Sequence, residues 1–431
     1  MINIIDKVNC CGCSACASAC PKRCITMKSD NEGFLYPHLD KDTCIDCGLC
    51  EKVCNELHPF PQRSPLQVWA AINKDEEIRL KSSSGGIFHI LAKMTIDDGG
   101  VVFGARFDEN WQVVIDYAET MIGVEDFMGS KYVQARIENA YKNAKRFLIE
   151  GRKVLFSGTP CQVAGLKQFL RKEYDNLLTV DFICHGTPSP RVWGMYLDEV
   201  TDSCKFVKSI SFRNKINGWK HLHFSVEYDP VTNATSLLSS AYQNQYMKAF
   251  LADLTLRPSC SSCSAKSGSS NSDITIADFW GIWNVNLDMY DDKGTSMLFI
   301  NTDKGRQVLP SKELVKYSES DYAVALKYNK ACAVSVVPNP KRKQFFVQLH
   351  ATKSVIKLID KTLAPPFLDT CVRSIKSFAR KMLKKANGGV NHYYTNPEIS
   401  SITFRNKETG WKSYSLSLIH ISEPTRQAEI S

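Results

Sequence analysis

Continuous apolar runs, each closed by a turn or a glycine-containing loop, divide the chain from residue 66 onward into predicted elements. Short apolar runs are typical of buried strands, and longer apolar segments that follow them indicate helices. Strand, loop and helix in repeated succession predict βαβ units, so we expect an α/β body with a mostly parallel or mixed sheet. The predicted strands are 67–73, 101–107, 113–119 (a hairpin partner of 101–107), 153–158, 177–184 and 273–280, and the predicted helices are 87–94, 137–149, 163–172 and 191–200.

The first 60 residues differ, because eight of their ten cysteines fall in two identical spacings. Each run has the form C-x2-C-x2-C-x3-C, followed by Pro21 in the first and by Asn55 in the second. Three thiolates two residues apart can hold one corner of a 4Fe-4S cubane, while the fourth reaches a second cluster. The alternatives are disulfides and zinc, which needs neither the third closely spaced cysteine nor the x3-C-P step. The spacing predicts a two-cluster ferredoxin module, with cluster one on Cys10, Cys13, Cys16 and Cys54 and cluster two on Cys44, Cys47, Cys50 and Cys20.

Length and composition indicate a globular protein of more than one domain. The chain has 431 residues, of which 43% are hydrophobic and 23% charged. Three prolines in 57–65 indicate a linker. We therefore expect an α+β ferredoxin-like two-cluster module followed by the α/β body. The predicted domains are the ferredoxin module (1–60), the N-terminal part of the body (66–150), its C-terminal part with the CxxC (151–350), a basic helical tail (351–387) and an anomalous segment (388–431).

Four cysteines of the body are expected to meet at one edge of the sheet. Cys161 and Cys184 follow predicted strands, and Cys260 and Cys263 form a C-x2-C in a serine-rich loop. A third 4Fe-4S cluster is the favoured interpretation, with zinc or unliganded thiols as alternatives. His185 is the catalytic candidate, as a proton donor, or else a structural histidine held by a loop carbonyl. The other cysteines are expected to be small apolar or structural residues: Cys11, Cys24, Cys204, Cys332 and Cys371.

Charge and hydropathy restrict the partners. Residues 82–86, SSSGG, precede the helix at 87–94 and can offer free backbone N–H groups to an anion, although any helix can begin with a serine N-cap. The net charge of +9 suits an acidic partner or an anionic cofactor. Basic residues are dispersed rather than interleaved with aromatics, which disfavours nucleic acid. The sequence has no apolar run of transmembrane length and no signal-type start, so we expect a cytoplasmic protein without a transmembrane segment.

Seven separated motifs resemble the family formed by the beta subunits of coenzyme F-420 hydrogenases and dehydrogenases, over most of residues 1–350. They are SSGGIFHILA, SKYVQ, VLFSGTPCQVAGLKQFL, FICHGTPSP, FRNKINGW, the CxxC and SDITIADFWGI, in that order. The resemblance implies a flavoprotein that binds FAD and an iron-sulfur cluster in the body, the cluster on Cys161, Cys184, Cys260 and Cys263. It implies that the flavin is held by Ser83, Ser84, Gly85, Gly86, Ser130, Lys131, Tyr132, Ser157, Gly158, Thr159 and Pro160.

From these observations we expect an oxidoreductase in which electrons enter through the ferredoxin clusters and pass through the third cluster to FAD. The acceptor is a redox partner protein or a small molecule, and the substrate and oligomeric state stay open. Bacterial relatives with a fused ferredoxin look like those encoded beside polysaccharide-synthesis genes, which makes F-420 itself doubtful. The alternatives are a non-catalytic electron-transfer protein that serves a partner enzyme and a zinc-stabilised binding module.

The end of the chain is unusual. Residues 372–387 have apolar residues near one face among six basic ones, so contact with a membrane surface or packing on the chain's own domain is expected. Residues 401–412 are nearly identical in sequence to residues 209–220, and residues 416–426 match a translated sequencing adapter. We expect 388–431 to be a misjoined fragment with adapter sequence, dispensable for folding and cofactor content.

Overall fold

A computed structural model describes residue 2, residues 6–201, 206–229 and 236–365, and the backbone of a hairpin at 401–406 and 410–415. Its strands are β1 (Ile25–Ser29), β2 (Leu35–Leu39), β3 (Gln67–Asn73), β4 (Val101–Phe107), β5 (Val113–Ala118), β6 (Val154–Ser157), β7 (Leu177–Phe182), β8 (Val207–Asn214), β9 (His223–Tyr228), β10 (Leu237–Ser240), β11 (Ile274–Asp278), β12 (Ser296–Ile300), β13 (Val315–Ser320), β14 (Ser401–Asn406) and β15 (Gly410–Ser415). Its helices are α1 (Ala15–Ala19), α2 (Leu49–Lys52), α3 (Glu76–Lys81), α4 (Ile87–Asp97), α5 (Met121–Glu125), α6 (Ala140–Ile149), α7 (Pro160–Leu170), α8 (Pro190–Thr201), α9 (Gln245–Leu251), α10 (Ile282–Val285), α11 (Asp303–Gln307), α12 (Tyr322–Tyr328), α13 (Arg342–Leu349) and α14 (Val355–Leu363).

The body is built on an eight-stranded mixed sheet, in the order β13-β3-β12-β11-β7-β6-β4-β5. The four neighbours β11, β7, β6 and β4 are parallel to one another, and the strands on either side of this group are antiparallel. Both faces are buried, since Val154 and Phe156 pack on one side of β6 and Leu155 packs on the other. The predicted mixed sheet and the β4–β5 hairpin are therefore confirmed.

The ferredoxin module consists of the β1–β2 hairpin and the short helices α1 and α2, which precede the linker. Ala15 and Val53 lie in the same hydrophobic core as Val163 and Leu166 of α7. The linker also contacts the body, because Gln168 Nε2 donates to the His58 carbonyl at 2.6 Å. The module thus packs against α7 and is not a separate body on a free tether.

Two predicted helices begin three residues away from the predicted first residue. The helix predicted to begin at 137 begins at Ala140, since Glu138 has a φ of +47° and interrupts helical geometry. The helix predicted to begin at 163 begins at Pro160, because proline is well suited to the first helical position. Cys161 therefore lies in the first turn of α7.

Beyond the large sheet, β10, β9 and β8 form a three-stranded antiparallel sheet. Its Phe212 and Phe224 pack on Trp193 of α8, with centroids 5.0 and 6.3 Å away. The chain divides into a unit spanning Met1–Thr362 and a second unit spanning Leu363–Ala428, in which β14 and β15 pair as an antiparallel hairpin. The predicted helix at 372–387 and the adapter-like residues 416–426 lie outside the described residues.

Candidate functional site

The four cysteines predicted for cluster two line one small cavity in the ferredoxin module. Cys20 comes from the end of α1, Cys44 and Cys47 come from the loop that leads into α2, and Cys50 lies in the first turn of α2. Gly48, with a φ of +68°, provides the left-handed turn at the start of α2. Cys24, which the spacing left outside both clusters, also lines this cavity, and its sulfur is 3.2 Å from that of Cys20.

The four cysteines predicted for cluster one lie on the inner side of the module. Burial raises the pKa of the Cys16 thiol to about 12, and the neighbouring Cys10 and Cys54 contribute to the same rise. Burial also raises the pKa of the Cys13 thiol, and Cys16 and Cys10 contribute to that rise. Cys10 and Cys16 are buried, whereas Cys47 of the other set is exposed. The module therefore has an inner cysteine set beside the body and an outer set facing solvent.

The cysteines of the body converge in one pocket, the body cysteine pocket, lined by Cys161, Cys184, Cys260 and Cys263. Cys161 is in the first turn of α7 and Cys184 follows β7, as the strand-end argument predicts. The other two are at the 3-10 turn Pro258–Ser262, where Thr187 N–H lies 3.4 Å from the Cys260 sulfur. Backbone N–H groups directed at sulfur are typical of thiolates that ligate iron.

Cys11 joins the inner cysteine set to this pocket. It is buried and lines the body cysteine pocket, and the pKa of its thiol is raised by the neighbouring Cys13 thiol, while that of Cys161 opposes the rise. Gly165 of α7 also packs against the inner cysteine set, since a Cβ there would lie 3.0 Å from the Cys13 sulfur. Cys11 is therefore a contact residue between two cysteine sets, which sequence spacing alone does not reveal.

His185 also lines the body cysteine pocket. Its Nε2 is 2.6 Å from Asp253 Oδ1, and its ring packs edge-to-face on Phe250 at 5.4 Å. The carboxylate holds one ring nitrogen and so fixes the orientation of the ring. A role as a proton donor stays a prediction, and its location is beside the cysteines.

A large cavity of about 230 Å³ lies at the carboxyl ends of β6, β7 and β11. Nine of the eleven residues predicted to hold a flavin line it; Gly85 is behind the loop, with its N–H bonded to Ser296 Oγ at 2.9 Å, and Pro160 faces the cysteine pocket. The nine are Ser83, Ser84, Gly86, Ser130, Lys131, Tyr132, Ser157, Gly158 and Thr159.

Hydrogen bonds hold the serine-rich loop before α4 against the neighbouring segment. Ser83 Oγ accepts from Ser130 N–H at 2.7 Å, and the two hydroxyls are 2.9 Å apart. Lys215 Nζ donates to the Ser84 carbonyl at 2.9 Å, and burial lowers the pKa of this lysine to about 7. The first residues of α4 consequently face the cavity: Ile87, Phe88 and His89.

Charged residues on the cavity wall come from two of the quoted motifs, FRNKINGW and SDITIADFWGI. Arg213 forms a bidentate ion pair with Asp278, which also accepts from Trp219 Nε1 at 2.9 Å. Burial opposes the charge on Arg213, but the Asp278 carboxylate outweighs it and raises the pKa of the guanidinium. Elsewhere on the wall, burial lowers the pKa of Lys131 to about 7. Sequence reasoning missed Arg213 and Asp278 as lining residues, because the predicted strand 273–280 placed Asp278 inside a strand and no strand was predicted around Arg213.

Two buried polar atoms at the cavity lack a well-formed hydrogen bond among the described residues: Tyr132 Oη and Arg213 Nε. Such atoms in native structures usually bond a water or ligand. A predominantly apolar wall with a few polar groups is also usual for a cofactor site. The residues present therefore fit a planar, partly polar cofactor such as a flavin.

Two further observations concern metal binding and membranes. Within residues 6–201, 206–229 and 236–365, the cysteines share pockets, but no three Cys, His, Asp or Glu side chains are arranged as the ligands of a single metal ion. Over the same part of the chain, no helix combines the length and the apolar character that crossing a membrane requires.

Comparison with known proteins gives two family matches. Residues 151–321 match the family described as the C terminus of the coenzyme F420 hydrogenase/dehydrogenase beta subunit, and residues 9–56 match the 4Fe-4S dicluster domain. The predicted family resemblance and the two-cluster ferredoxin module are confirmed. The assignment of individual ligands stays a prediction.

Individual relatives are more distant. The F subunit of the F(420)H(2) dehydrogenase of Methanosarcina mazei is 23% identical over 196 residues, 42% of this chain and 54% of that protein. A 7Fe ferredoxin of Hydrogenibacillus schlegelii is 44% identical over 41 residues, 10% of this chain and 46% of that protein. The chain thus spans about half the length of these curated relatives. A structure of the F420-reducing [NiFe] hydrogenase complex from Methanosarcina barkeri is 16% identical with a TM-score of 0.43, covering 68% of this chain and 95% of the other.

Proposed function

Since residues 9–56 match the 4Fe-4S dicluster domain and residues 151–321 match the C terminus of coenzyme F420 hydrogenase/dehydrogenase beta subunits, we propose that this iron-sulfur electron-transfer protein is a flavin-dependent oxidoreductase. In this proposal, the body cysteine pocket holds a third 4Fe-4S cluster and the large cavity holds FAD. When bound, the clusters supply single-electron transfer and the flavin supplies hydride-type chemistry.

The observation that carries the proposal is the adjacency of the three sites. Thr159 lines the large cavity and Cys161, two residues later, lines the body cysteine pocket. The same holds after β7, where Ile183 lines the cavity and Cys184 lines the pocket. On its other side, the pocket meets the ferredoxin module through Cys11. A cofactor in each site would be separated from the next by only one or two residues.

The residues of the chain position the cofactors and exclude water. The N-terminal turn of α4 lines the cavity, and the free N–H groups of such a turn would favour the diphosphate of FAD. Apolar residues on β4 and β5, Ala105, Val113 and Ile115, give another part of the wall. Tyr132 Oη and Arg213 Nε, the two buried atoms without a well-formed hydrogen bond, would gain hydrogen-bond partners from the polar edge of the flavin ring.

The second candidate function is electron relay to a partner enzyme. Cys47 is exposed, so the outer cluster could exchange electrons with another protein. The relative from Methanosarcina mazei is itself named as one subunit of a dehydrogenase. The acceptor, a link to polysaccharide synthesis and a cytoplasmic location all belong to the proposal.

Cofactor content tests the proposal directly. Protein purified anaerobically should release about one FAD per chain on denaturation and contain about twelve Fe, at four per cubane. A colourless extract from a preparation with full iron would contradict a flavoprotein and favour the relay. Turnover of a small-molecule acceptor by the isolated chain would separate the enzyme from the relay protein.

A further inference from the structure

Arg257 is a buried cation placed between the ferredoxin module and the body cysteine pocket. It precedes the 3-10 turn Pro258–Ser262 that bears Cys260, and it is 2% exposed. Its Nε donates to the Cys10 carbonyl at 2.8 Å, and its Nη2 is 3.7 Å from the Cys10 sulfur. Nη2 also donates to the Leu35 carbonyl at 2.9 Å, and Nη1 donates to Gln134 Oε1 at 2.9 Å.

The protein supplies Arg257 with hydrogen bonds but with no directly bonded carboxylate among the described residues. The guanidinium lies over the rings of Tyr36 and Phe34, at 4.3 and 5.4 Å from their centroids. A buried charge without a counter-ion is costly, so it is usually paired. The thiolates of a bound cluster on Cys10 would provide the missing negative charge.

We propose that Arg257 is the counter-ion of cluster one and holds its reduction potential above that of cluster two. Reduction adds a negative charge to a cluster, and a fixed positive charge beside a buried ligand stabilises the reduced form. The cations near cluster two, such as Lys22, are exposed and screened by water. The inference rests on the two clusters of the ferredoxin module and does not require FAD.

The ordering of potentials has a structural consequence. Cluster one, on the inner cysteine set beside Cys11 and the body, becomes the better electron acceptor of the two. Cluster two, on the exposed outer set, becomes the weaker acceptor. Arg257 thus favours electron transfer from the outer cluster to the inner cluster of the module. Gly12 supports this position, because a Cβ there would lie 2.7 Å from Arg257 Nη1.

The test is an anaerobic redox titration of the full chain, followed by the EPR signals of the reduced clusters. Arg257→Gln should move one signal of the module to lower potential and leave the other unchanged. Arg257→Lys keeps the charge and should give a smaller shift. The matched control is Arg342→Gln, since Arg342 also joins module to body, through Glu32 and the Leu256 carbonyl, but contacts no cysteine. It should shift neither signal.

A second variant tests the same charge effect in case Arg257→Gln loses its iron. Gln134→Glu would place a carboxylate against Nη1 and neutralise the guanidinium in place, so it should lower the same potential. Unchanged potentials in iron-loaded variants would overturn the proposal, and an equal shift in Arg342→Gln would show that docking, not charge, is responsible. Wild-type protein without cubane signals would instead contradict the presence of the clusters.

Discussion

Lys131 is the residue of the large cavity whose charge depends most on pH. Its Nζ donates to the Met128 carbonyl at 2.9 Å, and burial lowers its pKa to about 7 while Asp126 opposes that shift. The other ionisable groups that line the cavity are Arg213 and Asp278, which pair with each other, Tyr132, whose pKa burial raises, and His89, whose pKa burial lowers below its usual 6.5. Near neutral pH, Lys131 is therefore the cavity-lining group that titrates, and Lys215, whose pKa is also about 7, lies behind the serine-rich loop.

We predict that FAD binding to flavin-depleted protein weakens as the pH rises above about 7. The diphosphate favours charged Lys131, so binding above this pH must take up a proton, and Kd should rise by up to about tenfold per pH unit. Below pH 7 the lysine is already charged and Kd should level off. Fluorescence titrations between pH 6 and 9 measure this dependence.

Three variants identify the group responsible. Lys131→Met should bind FAD weakly with a flat profile between pH 7 and 9, and Lys131→Arg, which keeps its charge, should have a flat profile with tight binding. Lys142→Met, on the exposed face of α6, should behave like the wild type. A wild-type slope in Lys131→Met would show that another group controls the affinity.

At the scale of elements, α7 connects three sites, because it bears Cys161, borders the large cavity and packs on the ferredoxin module. Its Gly165 leaves no space for a side chain, since a Cβ would lie 2.8 Å from both Cys13 Cβ and Tyr141 Oη. In contrast, a Cβ at Gly194 of α8 would meet its nearest neighbour, Gln112 Nε2, at 3.5 Å.

We predict opposite effects for alanine at these two helical glycines. Gly194→Ala should stabilise the protein by up to about 1 kcal/mol through helix propensity. Gly165→Ala should destabilise it by about 1–3 kcal/mol, because crowding against Cys13 outweighs the same propensity gain. Anaerobic thermal unfolding measures both, and iron should fall in Gly165→Ala alone. Equal stabilisation by the two would show that module and body are not packed closely at α7.

Sequence patterns were sufficient to predict the strands that position candidate ligands. They were insufficient to predict the contacts between the ferredoxin module and the body. The runs before Gly158 and Cys184 predicted β6 and β7, since continuous apolar residues suit strands buried on both faces. The roles of Arg257 and Cys11 could not be predicted, because both depend on how the ferredoxin module packs on a body that is distant in sequence. Long-range packing of this kind has no local periodicity.

For the whole molecule, the sites form a series from the exposed Cys47 to the large cavity. The outer and inner cysteine sets of the module come first, followed by Cys11, the body cysteine pocket and the cavity. Cys161, in the first turn of α7, is the ligand candidate that lies next to both the module and the cavity. If the proposed function holds, electrons must pass through the body cysteine pocket to reach the large cavity.

The last prediction tests that middle position with Cys260→Ser combined with Cys263→Ser. Removing two of four ligands should lower iron from about twelve to about eight per chain, since a cubane holds four Fe. FAD should remain bound, because neither cysteine lines the large cavity, but its reduction by electrons supplied through the ferredoxin module should slow sharply. Cys332→Ser is the matched control; this thiol lies 3.7 Å from Tyr322 Oη, outside the body cysteine pocket, and should keep both iron and rate. Full iron and an unchanged rate in the double variant would mean that these cysteines are structural and that electrons reach the flavin by another route.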